Sequence, residues 1–348
     1  MPKRSLANKT VLRGSALAIM LLSVVAPALA AAPLPAHVFA PYFETWTTDS
    51  ITAVAQASGV NHFTLAFLET TGKTSCTLGW NGSKTETIAS GRYLSEIASL
   101  RTGGGDVIPS FGGWSADQGG TEIGDSCKDV NAIAAAYESV VTTYDVTRLD
   151  MDIEGRSLTK ADGIDRRNKA IKLLQNWAAG QGRTVQIQYT LPTSRTGLES
   201  SGLAVLQNAL ANGVRIDVVN PMVFDYYDRA GTDMGASAIS ALQGLHTQLA
   251  AMYSSAGISK TPAQLWAMEG ATIMNGLDDY PRKTERTDVS DAQDLVTFAR
   301  AQGMSTLSMW AIQRDNGGCV GSTGANDCSG IMQATWDFSH ALQPFTGP

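Results

Sequence analysis

After about the first thirty residues, the chain alternates short β-rich runs with longer runs whose apolar residues recur at helical spacing. Side chains repeat every two residues on one face of a strand and every 3.6 residues along a helix, which separates the two kinds of run. Eight runs predict strands: His37–Trp46, His62–Thr70, Asp106–Gly113, Arg148–Gly155, Val185–Thr193, Asp217–Tyr227, Gln264–Thr272 and Thr306–Asp315. The clearest predicted helices lie between them, at Asn131–Tyr144, Ala161–Gly180, Gly202–Asn212, Ala236–Tyr253 and Asp288–Gln302, and Gly182, Gly213 and Gly303 stand where helices should end.

Eight consecutive strand–helix units predict an α/β fold, a single-domain (β/α)8 TIM barrel over residues 31–348. A doubly wound open sheet would give a similar pattern and is the alternative. No Pro/Gly/Ser-rich linker divides this part of the chain, so one domain is expected.

The first thirty residues predict a secretory signal peptide. Four basic residues, Lys3, Arg4, Lys9 and Arg13, precede an apolar run from Gly14 to Ala26, and Ala28-Leu29-Ala30 offers a small-x-small cleavage site. The apolar run is shorter than the roughly 20 residues that a membrane-spanning helix needs, so a membrane anchor is the weaker alternative. We therefore expect a secreted protein, extracellular or periplasmic, with no membrane association after cleavage near Ala30.

Charge and cysteine content narrow the classes of partner. Loss of the leader would change the formal net charge from −6 to −10, and an acidic surface repels nucleic acid. Export makes disulfides plausible, and the preferred pairing of the four cysteines is Cys76 with Cys127 and Cys319 with Cys328. The cysteine and histidine spacing matches no zinc motif, so no metal is expected. We also expect no cofactor, and we expect the protein to be a monomer.

The fourth predicted strand carries the candidate chemistry. Asp150, Asp152 and Glu154 alternate with Leu149, Met151 and Ile153, so the three acids share one strand face with spacings of about 6.5–7 Å. Both faces of a parallel sheet are covered, so the acids would point into the barrel, where burial raises carboxyl pKa values. Glu154 comes last, at the rim where barrel active sites lie, and is the candidate general acid for a leaving oxygen.

With these residues in view, the chain resembles the family 18 glycoside hydrolases, the chitinase family, and in particular a bacterial subgroup. The resemblance is carried by Asp150-x-Asp152-x-Glu154 and by five further motifs in the right order: Ser110-Phe111-Gly112-Gly113, Tyr189-Thr190-Leu191-Pro192, Val219 to Tyr226, Thr272 to Asp279, and Leu307 to Asp315. It covers residues 37 to 316, nearly all of the chain beyond the leader.

The resemblance implies a chitinase that cuts β-1,4 bonds between N-acetylglucosamine units with retention, the substrate's own acetamido oxygen acting as nucleophile. It implies that Glu154 protonates the glycosidic oxygen, that Asp152 holds the acetamido N–H, and that Asp150 shares the proton of Asp152. It further implies that Asp225 and Tyr226 contact the acetamido carbonyl, and that Trp310 forms the floor under the cleaved sugar. Other aromatic or apolar residues predicted to bind the sugar chain are Tyr42, Trp46, Trp114, Tyr189 and Met222.

The sequence departs from the family pattern at three places. Thr147 and Arg148 replace the Asp-Gly that begins the signature, which we expect to tune proton sharing without loss of activity. Phe224 stands where many members have a tyrosine, and Tyr226, predicted on the same strand face, is expected to substitute. Ile273 replaces a proline.

Two other functions remain open at this stage. An endo-β-N-acetylglucosaminidase that cuts the chitobiose core of N-glycans would use the same acetamido chemistry. A non-catalytic chitin-binding barrel would keep the groove, although Glu154 argues against it.

Overall fold

The computed structural model of the protein describes residues 1–2, 31–230, 233–280 and 285–347. The predicted signal peptide lies almost wholly outside these residues. The strands are β1 (Val38–Phe39), β2 (Tyr42–Glu44), β3 (His62–Thr70), β4 (Leu78–Trp80), β5 (Asp106–Gly112), β6 (Arg148–Asp152), β7 (Gln186–Ser194), β8 (Gly197–Leu198), β9 (Val218–Met222), β10 (Gly270–Met274), β11 (Gly276–Leu277), β12 (Arg286–Thr287) and β13 (Thr306–Trp310).

The helices alternate with these strands. They are α1 (Ile51–Ser58), α2 (Leu94–Thr102), α3 (Trp114–Gly119), α4 (Ile123–Ser126), α5 (Val130–Tyr144), α6 (Ala161–Gly180), α7 (Ser200–Ala211), α8 (Met234–Ser255), α9 (Pro262–Trp266), α10 (Val289–Gln302) and α11 (Asp337–Leu342), with short 3₁₀ turns at Ile88–Ser90, Gly155–Leu158, Ile312–Arg314 and Gln343–Phe345. No helix among the described residues is both long and apolar enough to span a bilayer.

The parallel strands close into a barrel in the order β1, β13, β10, β9, β7, β6, β5, β3, β2. β1 and β2 are two parts of the first barrel strand, separated at Ala40-Pro41, where the proline lacks an N–H for the ladder. β1 pairs with β13 and β2 pairs with β3, so this one segment joins the two ends of the sheet. The (β/α)8 barrel prediction is confirmed.

Most predicted boundaries agree with the structure within a few residues, but three strands differ. The strand predicted to Asp315 ends at Trp310 in β13. The run from Gln264 does not begin a strand, because Thr261 and Gln264 form a capping box that starts α9, and β10 begins only at Gly270. The predicted strand to Tyr227 ends at Met222 in β9. The early end of β9 changes the active site.

Two disulfides fix loops of the barrel, with the pairing that the sequence favoured. Cys76 joins Cys127 beside β4 and α4, and Cys319 joins Cys328 across the loop that follows β13.

Candidate active site

The centre of the barrel is polar, and Asp150 lies within it. Its Oδ2 accepts hydrogen bonds from Ser110 Oγ at 2.6 Å and from the Tyr42 hydroxyl at 2.8 Å, and its Oδ1 accepts one from Thr190 Oγ1 at 2.7 Å. Burial raises the pKa of Asp150, and the three hydroxyl donors oppose that rise. The side chains of Leu149 and Met151 are buried in the main apolar core, so the predicted alternation of β6 is confirmed.

Asp152 and Glu154 continue the row of acids into the cleft at the carboxyl end of the barrel. Asp152 is only 3% exposed, and its Oδ1 has no hydrogen-bond partner among the described residues. Burial, followed by the charges of Glu154 and Asp150, raises its pKa well above the usual range. Glu154 lies beyond the end of β6 in extended conformation, and burial, with the charge of Asp225, raises its pKa to about 7. Glu154 can therefore hold a transferable proton near neutral pH.

Asp225 lies on another side of the same cleft. Burial and the neighbouring charge of Asp279 raise the pKa of Asp225 to about 7. Its backbone amide donates to Asp278 Oδ2 at 3.1 Å, and its Oδ1 accepts from the Asp279 amide at 3.1 Å, so the segments after β9 and β11 hold each other in place.

Aromatic rings form the floor and rim of the cleft. Trp310 stacks on Phe67 with ring centroids 5.6 Å apart and an interplanar angle of 13°, and it also contacts Tyr42 and Trp46. Trp114 is 60% exposed at the rim. The cleft has a volume of about 870 Å³, and such rings offer apolar faces on which sugar C–H groups can stack.

The structure brings most of the predicted site residues together around this cleft. Its walls include Tyr42, Trp46, Trp114, Asp152, Glu154, Met222, Asp225 and Trp310, and Asp150 lies beneath Asp152. The wall also contains Tyr227, and it contains residues that the sequence did not single out as site residues, namely Phe67, Glu69, Asn81 and Asp279.

Two predicted contacts are wrong. Tyr189 is fully buried on the outer face of β7, where its hydroxyl donates to Asn168 of α6, because its neighbours Gln188 and Thr190 take the inward positions. Tyr226 does not line the cleft. Its ring lies under the Arg195 guanidinium, 4.5 Å from carbon to ring centroid, and its hydroxyl is buried.

Tyr227 occupies the position by the cleft that was predicted for Tyr226. It is exposed, and burial of its hydroxyl, followed by the nearby charge of Asp225, raises the pKa of Tyr227. The prediction failed because it assumed strand alternation up to residue 227. β9 ends at Met222, and Asp225 and Tyr227 have positive φ values of 51° and 52°, so the face that each side chain takes no longer follows from its parity.

Asp117 is a further acid that the sequence reasoning missed. It lies in α3, directly after β5, and its Oδ2 accepts a hydrogen bond from the Glu154 backbone amide. An available signal was its position: an acid that follows a barrel strand at the carboxyl end belongs to the rim where barrel active sites form.

A closed parallel barrel, with a proton-holding glutamate at its carboxyl rim and an aromatic floor beside it, is the arrangement of a barrel glycoside hydrolase. Comparison of the sequence with known families gives the same class of protein. The sequence model of glycosyl hydrolases family 18 matches residues 38–317, and this chain belongs to that family.

Relatives of the chain carry chitinase names. It is 34% identical over 323 residues to the "Probable bifunctional chitinase/lysozyme" of Escherichia coli K12, covering 90% of this chain and 35% of that protein. It is 34% identical over 292 residues to "Endochitinase 11" of Metarhizium anisopliae, covering 81% of this chain and 53% of that protein. The chain thus spans about a third to a half of the length of these relatives.

A solved structure is also similar. Catalytic-site mutants of active domain 2 of the thermostable chitinase from Pyrococcus furiosus, complexed with chito-oligosaccharides, share 28% identity with this chain at a TM-score of 0.78. The match covers 90% of this chain and 95% of that one.

Proposed function

We propose that this protein is a secreted chitinase that hydrolyses β-1,4 bonds between N-acetylglucosamine units, with Glu154 as the proton donor. The observation that carries the proposal is the position of Glu154: it lies in the cleft that Trp310 floors, and its pKa is raised to about 7. A glutamic acid with this pKa keeps its proton at the pH where a glycosidic oxygen must be protonated.

Asp152 is proposed to hold the acetamido N–H of the substrate. Its side chain lines the cleft and accepts no hydrogen bond from any described residue, so the carboxyl group has acceptor capacity left for a donor from the sugar. The acetamido oxygen then attacks the anomeric carbon as the C–O bond to the leaving sugar breaks, and Glu154 transfers its proton to that leaving oxygen. Water later opens the oxazolinium ion and returns the proton to Glu154, with net retention.

The remaining site residues are proposed to support this step. Asp150 exchanges the shared proton with Asp152 from the barrel centre, held by its three hydroxyl donors. Asp225 and Tyr227 are proposed to contact the acetamido carbonyl, since both line the cleft and the charge of Asp225 acts on the Tyr227 hydroxyl. Trp310 offers the apolar face under the sugar.

We further propose that the protein is exported and that it is a monomer. Two disulfides favour an oxidising compartment. The leader remains a prediction from the sequence, and N-terminal sequencing of the secreted protein tests the cleavage near Ala30.

The deciding experiment compares Glu154→Gln with the wild type on N-acetylglucosamine oligomers. Loss of a general acid lowers kcat by at least about a hundredfold. Glu138→Gln, which makes the same change on the outer helix α5, is the matched control and should keep normal kcat. Near-normal turnover by Glu154→Gln would refute the assignment.

Substrate choice and nucleophile need separate measurements. Oligomers without acetyl groups should not be cleaved, because they lack the nucleophile, and the first product from chitin oligomers should be the β-anomer by NMR. Faster release of glycans from a high-mannose glycoprotein than cleavage of chitin oligomers would indicate the N-glycan activity instead. Binding with no turnover by the wild type would indicate a chitin-binding barrel.

A further inference from the structure

The carboxyl group of Asp117 is fixed directly behind the row of acids. Asp117 is 0% exposed and belongs to α3, which begins immediately after the Gly112-Gly113 pair at the end of β5. Its Oδ2 accepts the backbone N–H of Glu154. The Gly113 amide donates to the Asp152 carbonyl at 3.1 Å, and the Asp117 amide donates to the Gly113 carbonyl at 3.0 Å. Two successive points of the segment that carries Asp152 and Glu154 are therefore tied to the start of α3.

The two glycines allow this close approach. A Cβ at Gly112 would collide with the Asp152 carbonyl oxygen and would lie 3.6 Å from Asp117 Oδ1. A Cβ at Gly113 would enter the ring of Phe67. Both glycines also have positive φ, 98° and 83°, which L side chains rarely adopt. The Ser110-Phe111-Gly112-Gly113 motif thus brings Asp117 within reach of the Glu154 amide.

The carboxyl group of Asp117 has no other hydrogen-bond partner among the described residues. Its Oδ1 makes no hydrogen bond within the described part of the chain, although the residue is fully buried. Its charged neighbours are Asp152, Glu154 and the buried ion pair between Glu122 and Arg167, whose closest atoms are 2.7 Å apart. Burial and the charge of Glu122 raise the pKa of Asp117 well above its usual range. A buried carboxyl group is costly, and its one hydrogen bond holds the backbone of the proposed general acid.

We propose that Asp117 is a positioning residue for hydrolysis, which accepts the Glu154 amide and so fixes the backbone from which the proton donor reaches the glycosidic oxygen. The proposal rests on the proposed role of Glu154. A displacement of about 1 Å in a reacting group can lower a rate about a hundredfold. Loss of this acceptor should therefore slow the steps that need proton transfer and leave other steps nearly unchanged.

Aryl chitobiosides that differ in leaving group test this. A 4-methylphenyl group leaves only with a proton from the acid, whereas 2,4-dinitrophenolate leaves without one. For Asp117→Ala, kcat/KM on the 4-methylphenyl substrate should fall about 10- to 100-fold, while kcat/KM on the dinitrophenyl substrate, which reports only the first cleavage step, changes less than about threefold. Asp117→Asn keeps a carbonyl oxygen that can accept the amide, so it should restore most of the lost rate.

Glu122→Gln is the structural control. It breaks the neighbouring ion pair without touching the Glu154 amide, so any loss should be equal on both substrates. Asp117→Ser, whose side chain is too short to reach the amide, repeats the test if the alanine variant does not fold. Equal losses on the two substrates for a folded Asp117→Ala or Asp117→Ser variant would overturn the proposal, and so would wild-type rates.

A double-mutant cycle separates this proposal from the proposed function. In a Glu154→Ala background, removal of Asp117 should cost less than about twofold, because the group that it positions is already gone. If removal of Asp117 lowers the rate as much in the Glu154→Ala variant as in the wild type, the positioning role is contradicted, although Glu154 can still be the acid. If Glu154→Ala itself is fully active, the proposed function fails, whatever Asp117 does.

Discussion

Removal of the Tyr42 hydroxyl should destabilise the fold measurably. This hydroxyl is buried at the barrel centre, 2.8 Å from Asp150 Oδ2 and 3.0 Å from Thr190 Oγ1. A hydrogen bond to a charged group contributes about 1.5–3 kcal/mol to stability. We expect Tyr42→Phe to lower the free energy of unfolding by this amount when Asp150 is ionised.

Tyr137 provides a matched control, because its hydroxyl is equally buried. That hydroxyl has no hydrogen-bond partner among the described residues, and the ring packs edge-on against Phe111 at 5.0 Å. Tyr137→Phe removes the same atom but breaks no bond, and it relieves the desolvation of an unpaired group. Its free energy of unfolding should stay unchanged or rise by about 1 kcal/mol.

Urea unfolding followed by tryptophan fluorescence measures both variants, and equal m-values confirm that the comparison concerns stability. The loss for Tyr42→Phe should grow as the pH rises. Burial raises the pKa of Asp150 in the folded state, so Asp150 ionises only at higher pH. The hydrogen bond from the Tyr42 hydroxyl stabilises the fold most when Asp150 is ionised. Equal effects of the two substitutions, or a larger loss for Tyr137→Phe, would refute the assignment of these hydrogen bonds.

Two further predictions concern activity. The pKa of Glu154 is raised to about 7 and the acid must be protonated, so kcat/KM should fall about tenfold per pH unit well above pH 7; a rate that is flat to pH 9 would contradict this. Tyr226→Phe should keep near-normal kcat because Tyr226 does not line the cleft, whereas Tyr227→Phe should lower kcat at least about tenfold by removing the hydroxyl beside Asp225. Initial rates on a chromogenic chitobioside measure both variants, and the reverse order would place Tyr226 in the site.

The barrel and its row of acids were predictable because both follow from strict periodicity. In β6 the apolar residues Leu149 and Met151 face the helices, and the acids between them can only face inward. Helix α6 was predicted with its observed bounds, since its apolar stripe is long and a glycine, Gly182, follows its end. In regular strands and helices, the spacing of apolar and polar residues is enough to predict which side chains share a face.

The rim of the cleft was less predictable because its backbone is irregular. Tyr226 and Tyr227 are adjacent in sequence, and only the left-handed backbone at Asp225 and Tyr227 decides which ring faces the sugar. The role of Asp117 was also not predictable from the sequence, for a different reason. Its function depends on a contact with an amide 37 residues away, which no local pattern encodes.

Arg148 shows how a departure from the family pattern can act on the whole row of acids. The sequence led us to expect tuned proton sharing at this position, and that remains a prediction. The arginine is buried below Asp150, where its guanidinium donates to Gln186 Oε1 at 3.0 Å and to Thr306 Oγ1 at 2.7 Å. Its attraction to Asp150 favours the ionised form of that acid, as do three hydroxyl donors. Within the described part of the chain Asp152 has no such donors, and its neighbours Glu154 and Asp150 both raise its pKa. We therefore predict that protons shared by the row are held nearer to the cleft, where the proposed transfer to a leaving sugar would need them, than to the barrel centre.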